Sequence, residues 1–141
     1  MTTPLRRFDH VGIAVHDTER ALEYFVGRLG LTMIRTEEIP VPHVRLTYLD
    51  AGGGVAIQLV EPIDPESAVA AHLAEQGEGL HHIAFVVDDV PAAAAGLADP
   101  DSPEVTVGSG RGRPSAFVPG PVHHGVPVEV TAAGGSGGEP K

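Results

Sequence analysis

The chain has 141 residues and no cysteine, and nine Lys and Arg stand against nineteen Asp and Glu for a formal charge of -10. That length suits one domain with a substantial core, the missing cysteines exclude disulfides, thiolate metal ligands and a cysteine nucleophile, and the negative balance argues against nucleic acid as a partner. A local pair such as Arg111 and Arg113 still leaves an anionic small ligand open at short range. With no long apolar span and no charged-then-apolar leader, the sequence reads as soluble and cytoplasmic, with no membrane partner.

Phe8 to Val15 reads as a strand. Thr18 to Leu29 reads as a helix with Ala21, Leu22, Phe25 and Leu29 on one face, Asp17 or Thr18 as its cap and Gly30 as its stop. Leu31 to Thr36, Val44 to Leu49 and Val55 to Glu61 follow as strands, the last two separated by the turn signal Asp50-Ala-Gly-Gly-Gly54. Asp64-Pro65 opens a second helix that runs through Gln76 and closes at Gly77. His82 to Val87 is again a strand and Val90 to Leu97 an alanine-rich helix, and Val105, Ala116 to Val118 and Val126 to Thr131 are three weaker strands. The Gly-rich segment 132–141 has little to pack and reads as a disordered tail.

The two halves repeat. His82 follows His10 by 72 residues, Asp89 follows Asp17 by 72, and Glu129 follows Gln58 by 71. A unit duplicated once at this spacing points to two paired βαβββ modules, about 8–61 and 82–131, joined by a linker helix at about 65–77 within a single domain of residues 1–131. The fold class is α+β, with a cupped, mixed and mostly antiparallel sheet.

In each half a histidine opens the first strand, and a polar residue lies inside the last strand between apolar neighbours: Gln58 between Ile57 and Leu59, Glu129 between Val128 and Val130. Side chains alternate faces along a strand, so Gln58 and Glu129 point away from those neighbours. A lone strand histidine is usually a hydrogen-bonded structural residue, and a lone strand Glu or Gln usually faces solvent. Recurrence at one offset favours a shared role. His10, Gln58, His82 and Glu129 together suit a divalent Mn, Fe, Co, Ni or Zn ion with positions left for water or substrate. A single carboxylate keeps such a centre electrophilic. His81 faces opposite to His82 and reads as structural, and His123 and His124 read as solvated loop residues.

The stretches FDHVGIAVHDTERALEYF, Ile57-Gln-Leu-Val-Glu-Pro62 and ESAVAAHLAEQGEGLHHIAFVVDDV resemble the vicinal oxygen chelate (glyoxalase/bleomycin resistance/dioxygenase) superfamily and, within it, the methylmalonyl-CoA epimerases. The resemblance implies a metal bound by His10, Gln58, His82 and Glu129, with Glu129 also available as the catalytic base. It further implies an acyl-CoA or related thioester substrate, epimerised through an enolate, and a homodimer. The superfamily leaves two other readings open: a glyoxalase-like or secondary-metabolism enzyme with another substrate, and a metal-free binding or resistance protein.

Two departures stand out. The second acid carried by some epimerases on the strand Val44-Arg-Leu-Thr-Tyr48 matches Leu46, which transfers no proton; Glu37, Glu38 and His43 are the nearby substitutes. Segment 97–125 differs from the family, and its Gly108-Ser-Gly-Arg-Gly-Arg113 run reads as a flexible basic loop.

Overall fold

The computed structural model describes residues 4–101, 104–122 and 124–134. The chain is α+β, with strands β1 (Leu5–Ala14), β2 (Thr32–Ile39), β3 (Val44–Asp50), β4 (Ala56–Pro62), β5 (Gly79–Val87), β6 (Gly108–Gly110), β7 (Arg113–Phe117) and β8 (Val128–Ala132). Its helices are α1 (Thr18–Phe25), α2 (Ala68–Gln76) and α3 (Val90–Leu97). The strands form one mixed sheet in the order β2-β3-β4-β1-β5-β8-β7-β6. Two compact units divide the chain, one of residues 10–81 and one built from the residues up to Asp9 and from His82 onward.

In the unit of residues 10–81, β1 pairs parallel with β4, and β4-β3-β2 continue antiparallel. β4 is buried on both faces. Ala56 and Val60 join Ala14, Val44, Leu46 and Tyr48 under Val69 and Leu73 of α2, while Ile57 and Leu59 join Val15 and Leu49 under Ala21, Leu22, Phe25 and Val26 of the α1 segment. Apolar side chains on both faces, interrupted by Gln58, are what a strand covered by a helix on each side requires. In the other unit β5 pairs parallel with β8, β8-β7-β6 continue antiparallel, and Val90, Ala93 and Ala94 of α3 pack on Val87, Ala116 and Val130.

The duplication is visible in the caps. Asp17 accepts from Arg20 N at 3.3 Å, and Asp89 accepts from Ala92 N at 3.1 Å. Each carboxylate satisfies a backbone donor that the first helical turn leaves open.

Several boundaries differ from those read in the sequence. α1 ends at Phe25 because the amides of Gly27 and Leu29 bond five residues back, to Leu22 and Tyr24, which widens the last turn. Leu29 is therefore exposed rather than on the packed face. A Cβ on Gly27 would lie 2.4 Å from the Glu23 carbonyl oxygen, so that wide turn needs glycine. α2 opens at Ser67, whose hydroxyl accepts from Ala70 N at 3.2 Å, whereas Asp64 closes a turn on Glu66 N at 2.9 Å. Val105 is loop and packs against the α3 cluster, and the third module strand is Gly108–Gly110. β8 runs through Ala132, so the first residue of the expected tail is paired to Val87. Residues 135–141 lie outside the described residues.

Candidate metal centre

His10 and Gln58 belong to the unit of residues 10–81, and both are buried. In the parallel β1–β4 ladder Gly12 pairs with Gln58, so His10 lies two residues before the partner of Gln58, on the same face. The second unit repeats this register. Ala84 pairs with Glu129, and His82 lies two residues before Ala84. The common offset seen in the sequence is therefore a common ladder position.

Tyr48 pairs with Gln58 across β3 and β4. Gln58 Nε2 donates to the Tyr48 phenolic oxygen at 3.0 Å, and the Tyr48 ring stands edge-on to the His10 ring at 6.1 Å. In the other unit His82 Nε2 lies 3.5 Å from Glu129 Oε1, and the Phe117 ring packs edge-on to His82 at 5.2 Å. Phe117 pairs with Glu129 across β7 and β8, which places both side chains on one face.

Among the described residues, His10 and Gln58 share a face of one unit, and His82 and Glu129 lie side by side in the other. The donor set, two imidazoles with oxygen donors, is of the kind that borderline divalent ions accept. Gln58 supplies the test of fit: its Oε1 is buried with no hydrogen-bond partner, although the Nε2 of the same amide is bonded. Leaving a buried carbonyl oxygen unsatisfied is costly, and a cation is one partner that removes the cost. The residues thus fit a divalent ion.

The other candidates separate. Leu46 is buried in the α2-covered apolar cluster. Glu38 and His43 pair with each other at 3.1 Å in an exposed position, while Glu37 pairs with Arg35 at 2.9 Å and is 15% exposed. Glu37 is also the cross-strand partner of Leu46, so the two leave the same face of the sheet. The ring of His81 stacks edge-on with His72 at 4.8 Å. His124 is exposed, and His123 lies outside the described residues.

The expected flexible basic loop is instead a buried ion cluster. Arg111 bonds Asp9 Oδ2, Arg113 lies 3.4 Å from Asp9 Oδ1, and the three side chains are 8%, 6% and 2% exposed. Arg113 begins β7, and Arg111 lies in the β6–β7 turn at φ 56° with Gly112 at φ 71°. This hairpin folds both guanidinium groups inward. Sequence reasoning passed over Asp9 and Tyr48. A charged residue between Phe8 and His10 in an apolar strand was a signal for the first, and the alternation Val44, Leu46, Tyr48 was a signal for the second.

No described helix is long and apolar enough to cross a membrane. Residues 9–117 match the family model of the Glyoxalase/Bleomycin resistance protein/Dioxygenase superfamily. The uncharacterized protein YqjC of Bacillus subtilis is 34% identical over 95 residues, 67% of each chain. The mitochondrial methylmalonyl-CoA epimerase of Homo sapiens is 31% identical over 134 residues, covering 92% of this chain and 75% of that one. A Streptomyces coelicolor methylmalonyl-CoA epimerase variant, solved in complex with 2-nitronate-propionyl-CoA, superposes with a TM-score of 0.75 at 34% identity, covering 92% of this chain and 95% of that one. With its two βαβββ modules and a family match over most of its length, the chain belongs to the glyoxalase/bleomycin resistance/dioxygenase (vicinal oxygen chelate) superfamily.

Proposed function

We propose that the chain is a divalent-metal-dependent epimerase of a 2-methylmalonyl-CoA-like carboxyacyl thioester, acting through an enolate. The observation that carries this reading is the buried Gln58 Oε1 without a hydrogen-bond partner, in a chain that also carries His10, His82 and Glu129 at equivalent ladder positions. Epimerases among its relatives, one of them solved with an acyl-CoA ligand, support the substrate class. His10, Gln58, His82 and Glu129 would hold the ion. When bound, a divalent ion supplies a Lewis acid that stabilises negative charge developing on the substrate oxygens.

The chain's own residues handle the proton. Inverting a carbon centre takes one group to remove the α-proton and another to return a proton from the opposite side of the planar enolate. Glu129 is the first in this reading. Glu37 is the second, favoured over Glu38 and His43 because it shares a face with Leu46 and is mostly shielded from solvent.

One specific observation favours a second reading, in which the same centre acts on a different substrate: Leu46, which the resemblance matches to the second acid of some epimerases, is buried in an apolar cluster. The experiment is metal content after loading with Co²⁺ or Mn²⁺ and removal of excess, followed by conversion of one methylmalonyl-CoA epimer to the other. The expected result is about one ion per chain with epimerisation, both lost in His82→Ala. Bound ion without epimerisation moves the reading to another substrate. No bound ion sinks the enzyme reading in favour of a binding protein.

A further inference from the structure

We propose that Tyr48 is a positioning residue for the metal centre, holding the Gln58 amide with its oxygen available as a ligand. The inference rests on the proposed metal reading and concerns a residue that lies outside the four-ligand set.

The terminal torsion of a glutamine is broad and nearly two-fold, so the backbone of β4 does not decide which end of the amide faces a given direction. Only the oxygen end can ligate a cation; the NH₂ end has no lone pair to offer and would present N–H dipoles of the wrong sign. An amide turned for ligation must also satisfy its own NH₂ group when that group is buried. Tyr48 does this. Its phenolic oxygen accepts from Gln58 Nε2 at 3.0 Å while Oε1 stays without a hydrogen-bond partner. Tyr48 is 1% exposed and Gln58 4%, so water does not offer an easy substitute acceptor. The cross-strand pairing of the two residues fixes the distance between them, and the edge-on contact of the Tyr48 ring with His10 sets the ring against a second member of the centre.

Tyr48→Phe removes the acceptor and keeps the ring contact with His10. The ligating orientation then leaves a buried NH₂ group unsatisfied, and the expected loss of Co²⁺ affinity is about 10- to 100-fold, the range seen when a group supporting a metal ligand is removed. The discriminating test is a double-mutant cycle read as Co²⁺ affinity and as the visible absorption of bound Co²⁺, in folded protein verified by circular dichroism. In a Gln58→Ala background, where His10, His82 and Glu129 remain as donors, adding Tyr48→Phe should change neither readout further. Wild-type affinity in Tyr48→Phe overturns the inference. So does an equal loss in the Gln58→Ala background, because the residue would then act through packing on His10. A wild-type chain that takes up no Co²⁺ overturns the metal reading and this inference with it.

Discussion

Replacing Asp9 by Asn probes the buried cluster that the sequence hid. The substitution keeps shape and removes one negative charge from a site where Arg113 lies 3.4 Å and Arg7 3.6 Å from Oδ1 and Arg111 bonds Oδ2. At an effective dielectric constant of about 20, each contact at such a distance carries roughly 5 kcal/mol of gross attraction, most of it offset by desolvation. The net cost of deleting one partner is larger than the net worth of the pair, because Arg111 and Arg113 stay buried without the Asp9 charge. A loss of about 3–5 kcal/mol is expected. For a chain of this size that lowers the melting temperature by roughly 10–20 °C in a calorimetric scan. Asp88→Asn is the internal control: the Arg6–Asp88 pair has the same chemistry but side chains 60% and 70% exposed, and its loss should leave the melting temperature unchanged. A fall of less than about 3 °C in Asp9→Asn, or equal falls in both variants, would refute the argument from burial.

Gly27→Ala should destabilise by about 1–3 kcal/mol, read by urea unfolding, since the new methyl group meets the Glu23 carbonyl at 2.4 Å and the wide turn after α1 must shift. Glu37→Gln should lower kcat about 100-fold or more while leaving metal affinity unchanged; an unaltered kcat removes Glu37 from the proposed proton path. The Asp88 carboxyl, held below the usual carboxylate range chiefly by its hydrogen bond from Arg6, contributes whatever stability it has above that range and loses it as the pH falls through its folded value. Because the pair is exposed, the melting temperature of Asp88→Asn should stay within error of wild type at neutral pH, and any residual difference should vanish by pH 2.

The candidate donors were legible because duplication writes itself twice. His10 and Gln58 in one half recur as His82 and Glu129 in the other, at offsets that the two parallel ladders turn into equivalent positions. The helix caps Asp17 and Asp89 were legible for the same reason. What escaped depended on contacts far apart in sequence. Asp9 meets arginines more than a hundred residues away, and nothing local to Gly108–Arg113 says that its charges turn inward. Tyr48 reads as an ordinary strand residue, because its pairing and hydrogen bond with Gln58 depend on the sheet register. The end of α1 escaped because apolar spacing continues through Leu29, while the backbone has already widened at Gly27.

On the proposed function, this chain exchanges the α-proton of a malonyl-type thioester with the help of a bound divalent ion. Proton NMR of methylmalonyl-CoA in heavy water, with Co²⁺-loaded protein, tests it most directly. The expected result is rapid replacement of the α-proton by deuterium, abolished by His82→Ala and by removal of the ion. A loaded protein that leaves the α-proton in place would contradict it.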